Sequence, residues 1–194
     1  MKYIKLYETF EEDFAKEIKY ISLTSKSFDE LQDMFNSKVN TEWPDYDEIQ
    51  DLIDLRLVQL DGRDKHGLAP LHYIARLNDG KLARMLLKED ANIDVKSGET
   101  DRYRIKKGMT PLHVAVKEDN SIASLFIKMG ADINATDDLG NTVLFYTNND
   151  KMLNFLLKNG ADKNIKNKDN KTAWDELSDW RKEKNQILKP DIEE

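Results

Sequence analysis

Between Thr41 and Asp54 the chain places Glu42, Asp45, Asp47, Glu48, Asp51 and Asp54 without one basic residue, and interleaves Trp43 and Tyr46 with them. Such a density of acids could hold a cation or receive a basic surface. A calcium loop of the EF-hand type needs a glycine at its sixth position and a closing glutamate; neither follows Asp45-Tyr46-Asp47 at the required place, so calcium is rejected. Pro44 favours a helix starting there, with Asp45 and Asp47 in its first turn. Helical spacing then puts Asp47, Asp51 and Asp54 on one face and Ile49, Leu52 and Ile53 on the other. Two readings stay open: a solvated helix face, or an acidic dock for a basic partner with Trp43 and Tyr46 as anchors.

A second cluster has the opposite sign: Arg102, Tyr103, Arg104, Lys106 and Lys107, read as an exposed tyrosine among cations. The three histidines are His66, His72 and His113, and none is accompanied by a recognisable nucleophile and orienting group. The chain has no cysteine, which excludes disulfides, thiolate metal sites and cysteine nucleophiles. Asp61-Gly62-Arg63-Asp64 is a turn and not a phosphate-binding loop. No enzyme activity, metal or cofactor is expected.

The elements that must carry these residues are read from the rest of the 194-residue chain, long enough for a real core. Of the net charge of −7, residues 1–64 hold 16 acids and 8 bases, so the negative excess sits in the first third. That third would repel nucleic acid, which needs a basic stripe, and attract a cationic partner. No apolar run approaches the ~20 residues that cross a bilayer. The acidic start gives no signal peptide, and a cytoplasmic monomer is expected.

Three segments repeat. They open on Asp64-Lys65-His66-Gly67-Leu68-Ala69-Pro70-Leu71-His72, on Lys107-Gly108-Met109-Thr110-Pro111-Leu112-His113 and on Asp137-Asp138-Leu139-Gly140-Asn141-Thr142-Val143-Leu144. They close on Asp90-Ala91-Asn92-Ile93-Asp94, Gly130-Ala131-Asp132-Ile133-Asn134 and Gly160-Ala161-Asp162-Lys163-Asn164. Before each close lies an apolar set at i, i+3, i+4: Leu82, Met85, Leu86; Ile122, Leu125, Phe126; Met152, Phe155, Leu156. Pro70 and Pro111 fit a first helical turn, Thr110 and Thr142 fit N-caps, and Gly130 and Gly160 fit helix ends. Each unit reads as turn, helix, turn, helix, loop.

The pattern resembles the ankyrin repeat, with its Thr-Pro-Leu-His opening and Gly-Ala-Asp-x-Asn close. The resemblance implies an all-α solenoid of stacked helix-turn-helix units that works by binding another protein. It also implies that His72 and His113 hydrogen-bond neighbouring loops, and that partners meet the variable turn and first-helix positions. Those are Lys65, His66, Leu68, Tyr73 and Arg76 in unit one (64–96), Lys106, Lys107, Met109, Val114 and Lys117 in unit two (105–136), and Asp138, Leu139 and Asn141 in unit three (137–166).

A degenerate unit at 41–63 precedes these, its first helix unrecognisable in Asn36–Thr41, and a C-terminal cap follows at 167–180, then a polar tail at 181–194. Residues 1–40 read as a helical cap with helices over 10–22 and 28–37, the first behind a Thr9–Glu12 capping box. The spacing from Gly67 to Gly108 is 41 residues, about eight beyond the period, and the excess is placed in a finger at Val95–Lys107. Unit three is two residues shorter than unit two from threonine to glycine, with Phe145 at the histidine position and Thr147-Asn148 after it, so its first helix should be brief or irregular. The favoured function is a bacterial-type toxin-neutralising or inhibitory protein with a basic partner such as a nuclease toxin; the alternative is an effector or adaptor that binds through the finger.

Overall fold

The computed structural model describes residues 28–41, 44–54, 58–100, 102–177, 182 and 186–190. The expected helix over 10–22 with its capping box, Trp43 and most of the tail lie outside them, as do the side chains of Asp54 and Arg102. Among the described residues there are seven α-helices and no strand: α1 (Phe28–Val39), α2 (Tyr46–Asp54), α3 (Pro70–Leu77), α4 (Gly80–Lys88), α5 (Pro111–Lys117), α6 (Ile122–Lys128) and α7 (Asp150–Lys158).

The i, i+3, i+4 spacing is realised as burial. Leu82 and Leu86 of α4, Ile122 and Phe126 of α6 and Leu156 of α7 are buried, Met85, Leu125, Met152 and Phe155 are half-buried, and in α7 the second buried residue is Leu153, outside the expected set; Arg84 and Asn154 face water. The helices stack as the period requires: α1 packs on α2 and α3, α3 on α4 and α5, and α5 on α6 and the short 3-10 turn Val143–Phe145. One continuous core therefore runs from Phe35 to Ala173 and on to Leu188. A single helix pair could not bury its apolar face alone; stacking supplies the cover.

Local chemistry sets the helix ends. Pro70 and Pro111 take the first position of α3 and α5, where a missing N–H leaves nothing unsatisfied. Thr110 caps α5 with its side chain; Thr142 stands before the 3-10 turn without a side-chain cap bond. Gly130 and Gly160 adopt φ of 93° and 95° after α6 and α7. Asn78 ends α3 at φ 60°, and its Oδ1 accepts the Ile122 N–H at 2.9 Å, so the end of one unit fixes the start of a helix in the next.

Two expectations are corrected here. The acidic helix starts at Tyr46, two residues after Pro44, because Asp45 is its cap: Asp45 Oδ1 accepts the Glu48 N–H at 3.0 Å. The degenerate unit does have a first helix. It is α1, which begins upstream of Asn36–Thr41 and runs into it as far as Val39, and it touches α2 and α3 as α3 touches α4 and α5.

Asp79 couples two units. Its Oδ1 caps α4 by accepting Lys81 N–H at 3.1 Å and Leu82 N–H at 2.9 Å, and its Oδ2 accepts the Tyr46 hydroxyl at 2.9 Å. Asp79→Ala should therefore destabilise the chain by ~1–2 kcal/mol, the usual range for a lost cap. Tyr46→Phe should lose about 1 kcal/mol or less. Urea midpoints at pH 7 measure both, and equal losses would mean that the cap contributes nothing beyond the tyrosine bond.

Candidate functional site

The outward edge of the array is made of turns. In a regular unit four residues form the turn and the first of them organises it. The Asp64 N–H bonds Leu68 O at 3.1 Å, Asp64 O accepts Gly67 N–H at 2.8 Å, and Asp64 Oδ1 accepts Leu68 N–H at 3.1 Å. Asp137 does the same with Asn141 and Gly140, and Asn167 with Lys171 and Asn170. Neighbouring turns are tied by Asp138 N–H to Lys107 O at 3.1 Å and Lys168 N–H to Leu139 O at 2.9 Å.

Unit two keeps this frame and interrupts it. Ser97 N–H bonds Met109 O at 2.8 Å, Gly108 N–H bonds Ser97 O at 2.9 Å, and the Ser97 hydroxyl oxygen accepts Met109 N–H at 3.0 Å. Ser97 therefore stands where Asp64 and Asp137 stand, and Gly108 where Gly67 and Gly140 stand. The tie Asp138–Lys107 fixes Lys107 as the third turn residue, which leaves Gly98 as the second. The extra residues are 99–106, inside the turn. The sequence reading placed the insertion in the right segment and missed that Val95 and Ser97 belong to the regular frame, both buried. The substitution is paired. Where the turn opens on aspartate, a tyrosine nine residues on donates to it, Tyr73 to Asp64 at 2.5 Å and Tyr146 to Asp137; where it opens on Ser97, the matching place is Val114.

The inserted residues divide in two. Arg104, Lys106 and Lys107 are exposed, with Lys107 3.3 Å from Glu99 and Lys106 5.4 Å from the Tyr146 ring. Ile105 is buried, and Tyr103 is half-buried, a correction to its expected exposure. Tyr103 folds back on the first-helix row, edge-on to Tyr73 with ring centres 6.1 Å apart, with the Arg76 guanidinium 4.2 Å over its ring. Tyr103 and Arg104 are both left-handed at φ 55°. Each such non-glycine residue costs ~1–2 kcal/mol, similar to what an aromatic pair and a cation–π contact return.

Several residues expected on the partner surface are instead core. Leu68 and Met109 are fully buried, Val114 is 1% exposed, Tyr73 2% and Asn141 6%. The reason is common to all: the residue after the turn glycine and the residue after the histidine position point into the stack between units. Lys65, Asp138 and Leu139 are exposed, and His66, Arg76 and Lys117 are half-exposed. Asn40, which no motif marked, belongs with them, since it accepts the Arg76 guanidinium at 2.8 Å and donates to the Tyr103 hydroxyl at 3.3 Å. Its contact lies 63 residues away in sequence, beyond any periodic signal.

His72 and His113 are clamps. His72 Nδ1 faces the Ala69 N–H at 3.1 Å and its Nε2 faces Met109 O at 2.9 Å; His113 Nδ1 faces Thr110 N–H at 3.2 Å and Nε2 faces Asn141 O at 3.1 Å. An N–H on one side and a carbonyl on the other fix the neutral tautomer with the proton on Nε2. Burial pushes His72 down from 6.5 to about 4 and lowers His113 as well. Phe145 cannot make this bond, and unit three is tied instead by Asn167 Nδ2 to Asn141 Oδ1 at 3.0 Å.

The acidic helix is less bare than its sequence. Glu48 pairs with Lys38, and Lys81 lies 3.6 Å over the Tyr46 ring. Asp45 and Asp47 are exposed and Asp51 half-exposed. Among the described residues no group of three or more His, Asp or Glu could hold a metal ion, and no helix is long and apolar enough to cross a membrane.

Residues 71–167 match the family model for ankyrin repeats in three copies. An ankyrin repeat protein of fowlpox virus (strain NVSL) is 39% identical over 83 residues, which is 42% of this chain and 40% of that one. A second is 35% identical over 109 residues, 54% of this chain and 24% of that one. The Neurogenic locus notch homolog protein 1 of Mus musculus is 30% identical, covering 56% of this chain and 6% of its own length. The chain thus spans less than half the length of these curated relatives. They come from a virus and a vertebrate and give the bacterial-type expectation no support. Ankyrin repeats indicate a protein–protein interaction module. With the family model matching half of the chain, the turn frame repeating from unit to unit and the histidine clamp made in the first two units, the chain belongs to the ankyrin repeat family.

Proposed function

We propose that the chain binds a protein partner along its turn tips and first-helix row, centred on the interrupted turn of unit two. The supporting observation is that residues 99–106 are inserted between turn positions that bond one another directly, Ser97 to Met109 and Gly108, while inserted Lys106 adds its carbonyl as acceptor of the Ser97 hydroxyl at 2.8 Å and of Met109 N–H at 3.3 Å. The backbone bonds that close the turn run between Ser97, Gly108 and Met109, and the insertion adds Arg104 and Lys106 beside Lys107 on the outer edge. Such a tip suits an acidic patch on the partner, which is the effector or adaptor reading. On this view unit two opens at 97, and residues 28–63 form one further unit.

The inhibitor reading, with a basic toxin or nuclease as partner, would use Asp45, Asp47 and Asp51. Lys38 already neutralises one neighbour of that face, and the relatives offer nothing toward it. One experiment separates the two. The native-host extract is passed over the immobilised chain, over a triple Arg104→Glu/Lys106→Glu/Lys107→Glu variant and over a triple Asp45→Asn/Asp47→Asn/Asp51→Asn variant. Loss of the captured protein by tenfold or more on charge reversal of the finger alone is the expected result. Loss on the aspartate variant alone would replace the finger reading with the inhibitor reading, and retention on both would exclude both surfaces.

A further inference from the structure

Glu99, Arg104 and Lys106 of the inserted turn face outward, but its aromatic side chain faces in. Besides Tyr73 and the Arg76 guanidinium, Tyr103 meets Asn40, whose amide donates to its hydroxyl at 3.3 Å, and Lys117, whose ammonium donates to its carbonyl at 3.3 Å. These four residues come from the segment after α1, from α3 and from α5, so one tyrosine bridges three steps of the first-helix row. The backbone that delivers it is strained at two consecutive residues, Tyr103 and Arg104, and strain of this kind persists only where surroundings hold it. The holding contacts are half-buried, and the backbone bonds of Ser97 with Met109 and Gly108 are made without them. The Arg76 Nε–H is buried with no hydrogen-bond partner among the described residues. The seat therefore offers an aromatic wall, a stacked cation, an amide donor and one donor still to be met.

We propose that Asn40, Tyr73, Arg76 and Lys117 form a recognition site for a tyrosine side chain presented by a protein partner, and that Tyr103 is its resident occupant, displaced on docking. This deepens the reading of the first-helix row as an interaction surface. A partner's tyrosine on relaxed backbone would make the same ring contacts without the two left-handed residues, and a neighbouring carbonyl or carboxylate would satisfy Arg76 Nε. Departure of Tyr103 would also release the basic tip to reach outward. Pre-organisation favours the incoming ligand over the strained resident.

The test needs no partner. Residues 99–106 are excised so that Gly98 and Lys107 become the two central turn residues, as Asp138 and Leu139 are in unit three. A peptide of residues 98–107 is then titrated to millimolar concentration into the shortened and full-length chains, with NMR detection of Asn40, Tyr73 and Arg76. The expected result is at least fivefold larger shifts in the shortened chain, abolished by Tyr103→Ala in the peptide. Equal shifts in both chains, no shift in the shortened chain, or an undiminished response to the Tyr103→Ala peptide would overturn the proposal. Should the shortened chain not fold, full-length Tyr103→Ala takes its place under the same criteria. Failure here leaves the extract experiment standing, and failure there leaves the seat intact.

Discussion

Gly108→Ala is expected to lower stability by about 3 kcal/mol or more, whereas Gly130→Ala should lower it by only about 1–2. Both glycines are left-handed, at φ 79° and 93°, so both variants carry the steric penalty of a Cβ in that region. They differ in what surrounds the added atom. A Cβ on Gly130 meets nothing within 4 Å. On Gly108 it would lie 2.5 Å from the Asp138 backbone nitrogen, and that nitrogen holds the tie to Lys107 that links unit two to unit three. Backbone cannot rotate away as a side chain can, so the two turns must separate. In a stacked array the loss at one interface is shared by the neighbours on both sides. Thermal and urea unfolding of the two variants against the parent chain measure the difference; equal losses would show that turn-to-turn packing contributes nothing measurable.

His72→Ala is expected to destabilise the chain by about 3 kcal/mol, and the parent chain should itself lose stability on acidification through the same residue. The truncation removes the acceptor of Ala69 N–H and the donor to Met109 O, both in the core, and an unsatisfied buried group costs ~1–3 kcal/mol. The pH effect has a definite sign. His72 stays neutral in the folded chain down to about 4, while an unfolded histidine takes its proton near 6.5. Between these values the unfolded state binds more protons, so stability is fully present above 6.5 and falls as pH drops toward 4. The slope contributed by one such histidine is at most ~1.4 kcal/mol per pH unit. His113, also lowered by burial, acts in the same direction. His72→Gln removes the titration while keeping an amide that can donate and accept. Its urea midpoint should fall less steeply than the parent's from pH 7 to pH 4.5, and an unchanged slope would contradict the neutral buried clamp.

Much of the fold was legible because the contacts of a repeat array recur at one sequence spacing. The Asp79–Tyr46 bond spans 33 residues, the Arg63–Lys96 bond 33, and the Asn92–Asp61 bond 31. A contact of that kind leaves its mark as periodicity, and so the helix faces, the proline starts and the positions of His72 and His113 could all be read before any coordinates. Burial at single positions was not legible. Leu68, Met109, Val114 and Asn141 occupy variable places in the motif, and whether such a place faces water depends on the adjacent unit. Met109 is buried at a turn interrupted by an insertion, where the resemblance to the family implied a partner-facing position.

The amino-acid sequence alone determined the helix pairs, their order and the spacing of their clamps, since each follows from side-chain period and capping within about one repeat. Only the tertiary structure decided that α1 stands where the first helix of the degenerate unit would be, that the extra residues interrupt a turn between Gly98 and Lys107, and that Tyr103 lies on Tyr73 and Arg76. Those outcomes depend on contacts that do not recur, such as the one joining Asn40 to Tyr103 across 63 residues. A single non-periodic contact leaves no pattern in one chain, because nothing repeats to reveal it; geometry in three dimensions selects it.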